Sequence, residues 1–390
     1  MVRSKKAYHL MVFFTYGNSL RTWAETGLMG RELLLYKKMI KQGYSVTFFT
    51  YGDAGDYQYT DQLEGINVVP VYKFIKKSKN RWINLIKSFF IPFDPIVKKI
   101  FSTADIYKTN QMSGTWVPLI AGMINKKPFV VRCGYEMLRN LLRDEKNPLI
   151  RAVKAIPSYL LEFIAYVAAD RIIISNRSDK NYIKKIFPIK SDRIFLIRNF
   201  IDTDRFCTTD TSSIGENDSA ALFIGRIETC KNLHNLIHGA AHAGCRLDII
   251  GKGTEEEKIK ALVNNNQYNV NFLGLFDNRK LPEIIQKYDL FILPSFFECS
   301  PKTLLEAMSC GRIVLGTDVD GIKELIDTNI TGYLCRTNAR SIADNIQKIF
   351  STDHTILNQI GLNARQFVIK ECSVDRVFKQ EMDIYSELLS

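Results

Sequence analysis

Apolar runs of four to seven residues recur along the whole chain, and in the second half they alternate with helical patterns. The runs 220–225, 246–251, 270–274, 290–294 and 313–317 read as strands. In the first half, strands are expected at 8–14, 44–50, 66–71, 106–109, 129–132 and 171–175, in the same rhythm but less cleanly spaced. Strands that alternate with helices predict parallel sheets covered by helices on both faces. The stretch 193–218 passes from a strand-like run into the polar segment 207–218, whose composition suits a connection between two such sheets. Ligands of open α/β sheets bind beyond the carboxyl ends of the strands. Chemistry-bearing residues are therefore expected just after the apolar runs.

A chain of 390 residues with 46% hydrophobic content exceeds the size at which one core keeps growing, so two domains of roughly 150 to 200 residues are expected. No low-complexity tract or short repeat suggests disorder or a solenoid. The net charge of +12 points to an anionic partner, for which nucleic acid, phospholipid and sugar nucleotide all qualify. The eight cysteines are scattered without a Cys-x-x-Cys pair, which fits a reducing cytosol better than a disulfide framework or a zinc site. The apolar run Leu10 to Phe14 is too short for a signal peptide and no small-residue cleavage site follows, so it reads as a first buried strand. The run 159–169 is interrupted by Glu162 and falls short of the about 20 residues that span a bilayer.

The most informative segment is Phe296-Phe-Glu-Cys-Ser-Pro-Lys-Thr-Leu-Leu-Glu-Ala-Met-Ser-Cys-Gly311. Ser300 suits an N-cap, Pro301 the first helical position and Gly311 the C-terminal end, which brackets a short helix. Its N-terminal N–H groups and dipole suit a diphosphate, and Glu306 lies about 7 to 8 Å further along. Glu298 precedes the helix. Either glutamate alone also fits capping or a solvated face, but Leu304, Leu305, Ala307 and Met308 place Glu306 beside a core, where a carboxylate needs a partner such as a ribose hydroxyl. The second segment is Ala221-Leu-Phe-Ile-Gly-Arg-Ile-Glu-Thr-Cys-Lys-Asn232, which sets Arg226 and Lys231 in the loop after a strand. Two cations there can neutralise charge on a departing diphosphate, and they also fit a solvated basic loop.

Together these residues resemble retaining glycosyltransferase family four of the GT-B superfamily. Glu298 and Glu306 match its Glu-x7-Glu motif, and Arg226 and Lys231 match its Gly-Arg-x4-Lys motif. Further likeness lies in Ile250-Gly-Lys-Gly253, in Gly316-Thr-Asp-Val-Asp-Gly-Ile-Lys-Glu324 and in Asn199-Phe-Ile-Asp-Thr-Asp-Arg-Phe206. The resemblance is specific over 195–340 and looser toward the N-terminus, where Phe13-Phe-Thr-Tyr-Gly17, 27–32 and Val131-Arg-Cys-Gly-Tyr-Glu136 look like acceptor-domain loops.

It implies an α/β fold of two Rossmann-like domains facing across a cleft. The acceptor-binding domain is expected at 1–200, a linker at 201–218, the nucleotide-sugar-binding domain at 219–370, and a terminal helix at 371–390 returning to the first domain. Catalytic roles fall to Glu298, Lys231 and Arg226. Donor binding falls to Glu306, Gly225, Gly251, Ser300, Pro301, Lys302, Thr303 and Leu304, and acceptor-side contacts to Gly17, Arg132, Tyr135 and Glu136. A retaining reaction without a metal or other cofactor is implied, using a UDP- or GDP-sugar and a glycan or lipid-linked acceptor. The chain departs from the family in carrying Cys133-Gly-Tyr-Glu136 where many members have a histidine, and Arg198 where a proline commonly stands.

Other signals carry less. Asp202-Thr-Asp204 and Asp318-Val-Asp320 spell a metal-nucleotide motif but fall in a connection and a loop, and no metal is expected at either. His234, His238 and His242 share a helical face with no carboxylate or cysteine in register. Gly251-x-Gly253 lacks the third glycine of a dinucleotide fingerprint and is followed by acidic residues. No nucleic-acid-binding module accompanies the charge. The basic amphipathic stretch 73–91, continuing to 101, fits a helix on an anionic bilayer or one packed on its own sheet with a solvated edge. A cytoplasmic protein, peripheral on the inner face of the membrane in the first of these cases, is the expectation. A soluble transferase making a cytosolic glycoside is one alternative, and a basic nucleic-acid-binding protein is the alternative from another class.

Overall fold

The computed structural model describes residues 7–208 and 220–390. The chain divides into two compact units, one of residues 1–197 with Phe378–Ser390, the other Arg198–Val377. The part of the expected linker from 209 to 218 lies outside the described residues. Residues 201–208 belong to the second unit, where Ile201 bridges to Ser373 and Phe206 is buried in the core.

In the first unit the strands are β1 (His9–Phe13), β2 (Ser45–Thr50), β3 (Asn67–Pro70), β4 (Ile106–Thr109), β5 (Phe129–Cys133), β6 (Arg171–Ile174) and β7 (Ile194–Leu196). They form one parallel sheet in the order β3-β2-β1-β4-β5-β6-β7. The second unit holds β8 (Ala220–Ile224), β9 (Arg246–Ile250), β10 (Val270–Gly274), β11 (Leu290–Leu293), β12 (Ile313–Thr317) and β13 (Tyr333–Cys335), ordered β10-β9-β8-β11-β12-β13 and again parallel. Helices cover both faces, so central strands read as unbroken apolar runs, with every residue of β8, β11 and β12 buried. The three-residue strands β7 and β13 are too short to show a period of two.

The chain differs from expectation at two helix starts. The helix within 73–91 begins only at Arg81, because Asn80 caps it by accepting from the Trp82 N–H at 2.8 Å, while Asn84 ties the preceding turn to Ser78. The helix after Glu298 spans Lys302–Ser309 with Pro301, not Ser300, at its N-cap. Pro301 has an extended ψ of 108°, so helical geometry starts one residue later than the sequence suggests. Gly311 does follow the helix end, with φ +69°.

The first unit is completed by the last helix, Val374–Leu389, whose residues from Phe378 onward belong to it. Its buried Glu381 accepts from Lys108 Nζ at 2.6 Å, Arg132 Nη1 at 2.6 Å and the Tyr385 hydroxyl at 2.7 Å. Burial opposes ionisation of Glu381, but Lys108 and Arg132 outweigh it and hold the carboxyl below its usual range. Burial wins at the lysine, whose ammonium is pushed down to about 8 despite Glu381. Removing one partner of such a cluster strands the others in a dry interior, at about 3–5 kcal/mol. Glu381→Gln is therefore expected to cost the first unit about 3–5 kcal/mol in urea unfolding. A loss below 1 kcal/mol would show that the cluster is well solvated.

Candidate functional site

The donor-side residues singled out on the sequence all fall in the second unit, at the carboxyl edge of its sheet. Gly225 ends the β8 run, and the Gly251 loop packs against it so closely that a Cβ on Gly251, whose φ is +150°, would lie 1.8 Å from the Gly225 carbonyl oxygen. Ladder bonds continue past the strands, from Gly225 N–H to Ile250 O at 3.0 Å and from Ile227 N–H to Lys252 O at 3.0 Å. Beyond these ends lies a cavity of about 220 Å³ lined by Gly225, Arg226, Gly251, Lys252, Leu275 and Phe276.

The loop after β8 is pinned to the loop after β11. Asn232, in a left-handed conformation with φ +56°, donates from Nδ2 to Pro294 O at 2.9 Å and to Thr337 O at 2.8 Å. Phe296 N–H donates to Cys230 O at 2.8 Å. That clasp brings Lys231 against Glu298: the Lys231 Nζ donates to Glu298 Oε1, which also accepts from Ser295 Oγ at 2.7 Å. The backbone of Glu298 is in turn closed over by Gly321, where a Cβ would lie 2.3 Å from the Glu298 carbonyl oxygen. Arg226 is exposed in the same loop as Lys231.

Glu306 is buried on the Lys302–Ser309 helix, with the Asn278 amide donating to its Oε1 at 3.2 Å. Asn278 accepts in turn from Arg205 Nη2 at 3.2 Å. Ser300 Oγ is shielded and meets no hydrogen-bond partner among the described residues, while the Ser300 carbonyl accepts from Asn199 Nδ2 at 3.0 Å. Pro301 and Leu304 are buried, Thr303 is half-buried, and the Lys302 ammonium lies 5.0 Å from the Phe200 ring centre. Arg198 sits 3.9 Å from Glu324 and over Phe367.

The residues expected on the acceptor side lie in the first unit and are not alike. Gly17, with φ +85°, and Tyr135 are exposed. Arg132 is held by Glu381, and Glu136 is fully buried, accepting from the Tyr166 hydroxyl at 2.6 Å. Both side chains are thus engaged by partners within the first unit. Sequence reasoning gave no role to Asn278 or Ser295 and met Gly321 only within the segment Gly316–Glu324. None belongs to a periodic pattern, and only the positive φ of Gly321, at +82°, has a sequence signal, the glycine itself.

Two parallel, doubly wound sheets in one chain are the GT-B architecture, and solved structures agree with that fold over nearly all of the chain. The Anabaena protein HepE, crystallised with UDP and glucose, superposes with a TM-score of 0.73 at 16% identity over 97% of this chain and 100% of its own. Sucrose-phosphate synthase from Thermosynechococcus elongatus gives 0.75 at 18% identity over 98% and 99%. The chain belongs to glycosyltransferase family 4: the profile described as Glycosyltransferase Family 4 matches residues 33–205, and that described as Glycosyl transferases group 1 matches residues 208–367. Among curated relatives, N-acetyl-alpha-D-glucosaminyl L-malate synthase of Bacillus anthracis is 29% identical over 50% of this chain and 53% of its own length. Alpha-maltose-1-phosphate synthase of Mycobacterium tuberculosis is 26% identical over 58% and 66%. The matched stretch thus spans between half and two thirds of these relatives.

The first unit buries a pair of carboxyls of its own, Glu136 and Glu162. Burial pushes Glu162 up to about 7, and burial together with Glu162 holds Glu136 well above the usual carboxylate range. Unfolded carboxyls ionise near pH 4 to 5. From there to about pH 7 the folded chain binds more protons than the unfolded one, so stability falls as pH rises through that window. The expected slope is on the order of 1.4 kcal/mol per pH unit for each retained proton. Denaturant titrations from pH 5 to pH 8 should show the fall in the native chain and a flatter profile in Glu162→Gln. Equal slopes in both would assign the effect elsewhere.

Proposed function

We propose that this chain is a retaining glycosyltransferase that moves a hexose-type sugar from a nucleotide-sugar donor to an acceptor in cell-surface polysaccharide or glycolipid biosynthesis, the acceptor being lipid-linked. The observation that carries the donor half of this reading is the clasp that sets Lys231 against Glu298, in the loop that also holds Arg226, at the edge of the sheet whose unit buries Glu306. Glu306, buried and steadied by Asn278, accepts from a ribose hydroxyl. The N–H groups at the start of the Lys302–Ser309 helix, with Ser300 Oγ and Thr303 beside them, take the diphosphate. The apolar wall of Leu275 and Phe276 in the 220 Å³ cavity receives the base. UDP, the nucleotide crystallised with HepE, is the first to test.

In the transfer step the bond from the anomeric carbon to the leaving phosphate oxygen breaks while the acceptor oxygen bonds to the same face of that carbon. The acceptor proton passes to the departing phosphate oxygen. Arg226 and Lys231 meet the charge that grows on the diphosphate, so no metal is needed for it. Glu298 holds the Lys231 ammonium in place before the donor arrives. The acceptor half of the reading is supported by eight Lys and Arg against the one Asp94 within 71–101, in an N-terminal segment whose apolar side chains Trp82, Ile86 and Phe90 are exposed. That composition suits an anionic membrane surface met from the cytoplasmic side. Soluble transfer is the second reading, favoured by the small-molecule products in the names of alpha-maltose-1-phosphate synthase and sucrose-phosphate synthase.

Glu306→Ala is expected to weaken UDP binding by roughly 1.5 to 3 kcal/mol, the worth of a charged hydrogen bond, while thermal unfolding still shows a folded chain. Unchanged affinity by calorimetry would remove the ribose role. Lys231→Ala is expected to lower kcat by about two to three powers of ten and to change donor affinity far less, since the charge it meets grows toward the transition state. Equal losses in both would assign Lys231 to ground-state binding. In the same assays EDTA should leave turnover unchanged, and an absolute requirement for added Mg²⁺ or Mn²⁺ would overturn the metal-free step.

A further inference from the structure

The helix Pro148–Ala168 carries apolar side chains on the side away from its own sheet. Glu162, Ala165 and Tyr166, on one side of the helix, are buried toward the seven-stranded sheet. On the opposite side run Leu149, Val153, Ile156, Leu160, Ile164 and Val167, a stripe at intervals of three and four residues that follows the whole helix. Leu149 is 75% exposed, Val153 70% and Ile156 66%. A helix packed on a sheet ordinarily turns polar residues outward. Here only one carboxylate lies on the helix, Glu162, and it faces inward.

The stripe is not isolated. The helices Arg81–Phe90, Pro95–Ser102, Trp116–Asn125 and Pro148–Ala168 neighbour one another through Trp116–Asn125. They pack on one face of the sheet, the face shown by Met11, Phe13, Val131, Cys133, Ile172 and Ile174. Every helix of that layer also presents apolar groups outward: Trp82, Ile86 and Phe90 from the first, Ile96 from the second and Met123 from the third. A single partner helix fills one such stripe. A planar, fluid partner takes them all, and the eight cations of 71–101 in the same layer suit one with anionic headgroups.

We propose that this helical layer is seated in the headgroup and upper acyl region of an anionic bilayer, with Pro148–Ala168 as its principal inserted element. Among the described residues no helix is long and apolar enough to cross a membrane, so the 21-residue helix lies in the interface plane with its stripe toward the acyl chains. The inference deepens the membrane part of the proposed function and rests on it for the cations alone. It adds hydrocarbon contact by a segment outside 73–101.

Cosedimentation with phosphatidylglycerol-containing and pure phosphatidylcholine vesicles tests it, using the full chain, the double variant Val153→Glu with Ile156→Glu, and the triple variant Lys76→Glu, Lys77→Glu, Lys79→Glu. Far-UV circular dichroism and cooperative urea unfolding of the first unit, read in parallel, report that each variant is folded. The stripe variant is expected to need about tenfold or more lipid for half-binding, and binding of the native chain that survives high salt should vanish in it. The triple variant should lose the salt-sensitive part. If the stripe variant binds like the native chain while the triple variant fails, the inserted helix is wrong and the cationic surface stands. If the native chain ignores both kinds of vesicle, both fall. A native dimer without lipid that the stripe variant converts to monomer would assign the stripe to a second copy of the chain and overturn the proposal.

Discussion

In the second unit, backbone meets backbone without an intervening side chain, and the site hangs on that contact. A parallel sheet brings the loops that follow its strands to one edge, but it does not fix them there. Gly251 does so for the loops after β8 and β9, because its missing Cβ lets them close onto the Gly225 carbonyl. Gly321 does the same for the segment that carries Glu298. With both closures made, Asn232 can reach two carbonyls from different loops, and Lys231 meets Glu298 as a result. The Lys231 ammonium is thus set in place by the chain's own packing.

Most strands were legible because strands buried on both faces show as apolar runs, and the Lys231 and Glu298 segments were legible because both follow such runs. The start of the Lys302–Ser309 helix was misplaced by one residue. Ser-Pro reads as a cap followed by a first turn, yet the proline here keeps an extended ψ and serves as the cap position itself. Asn278, which steadies Glu306, comes from a distant loop, and no local pattern announces a contact of that kind. Glu136 looked like a ligand-facing acid at the end of a strand. Its burial beside Tyr166 depends on a helix some thirty residues later, a distance of 30 positions along the chain.

The outward stripe of Pro148–Ala168 was hidden for another reason. Periodicity separates an apolar face from a polar one, and this helix has apolar residues on both its buried and its exposed sides. The sequence therefore shows a run that is too short to cross a bilayer, and says nothing of which way its residues point. Only the sheet beneath defines an inside. The same unit treats buried charge in two ways: Lys108, Arg132 and Glu381 compensate one another, while Glu136 and Glu162 are relieved by keeping protons.

The Lys108 pair spans 273 positions of sequence. During synthesis the strands that carry Lys108 and Arg132 emerge from the ribosome while their counter-charge is still untranslated. The whole second unit must be made before Glu381 appears. A chain released before residue 381 therefore lacks the carboxylate that the buried Lys108 and the partly buried Arg132 meet in the folded first unit.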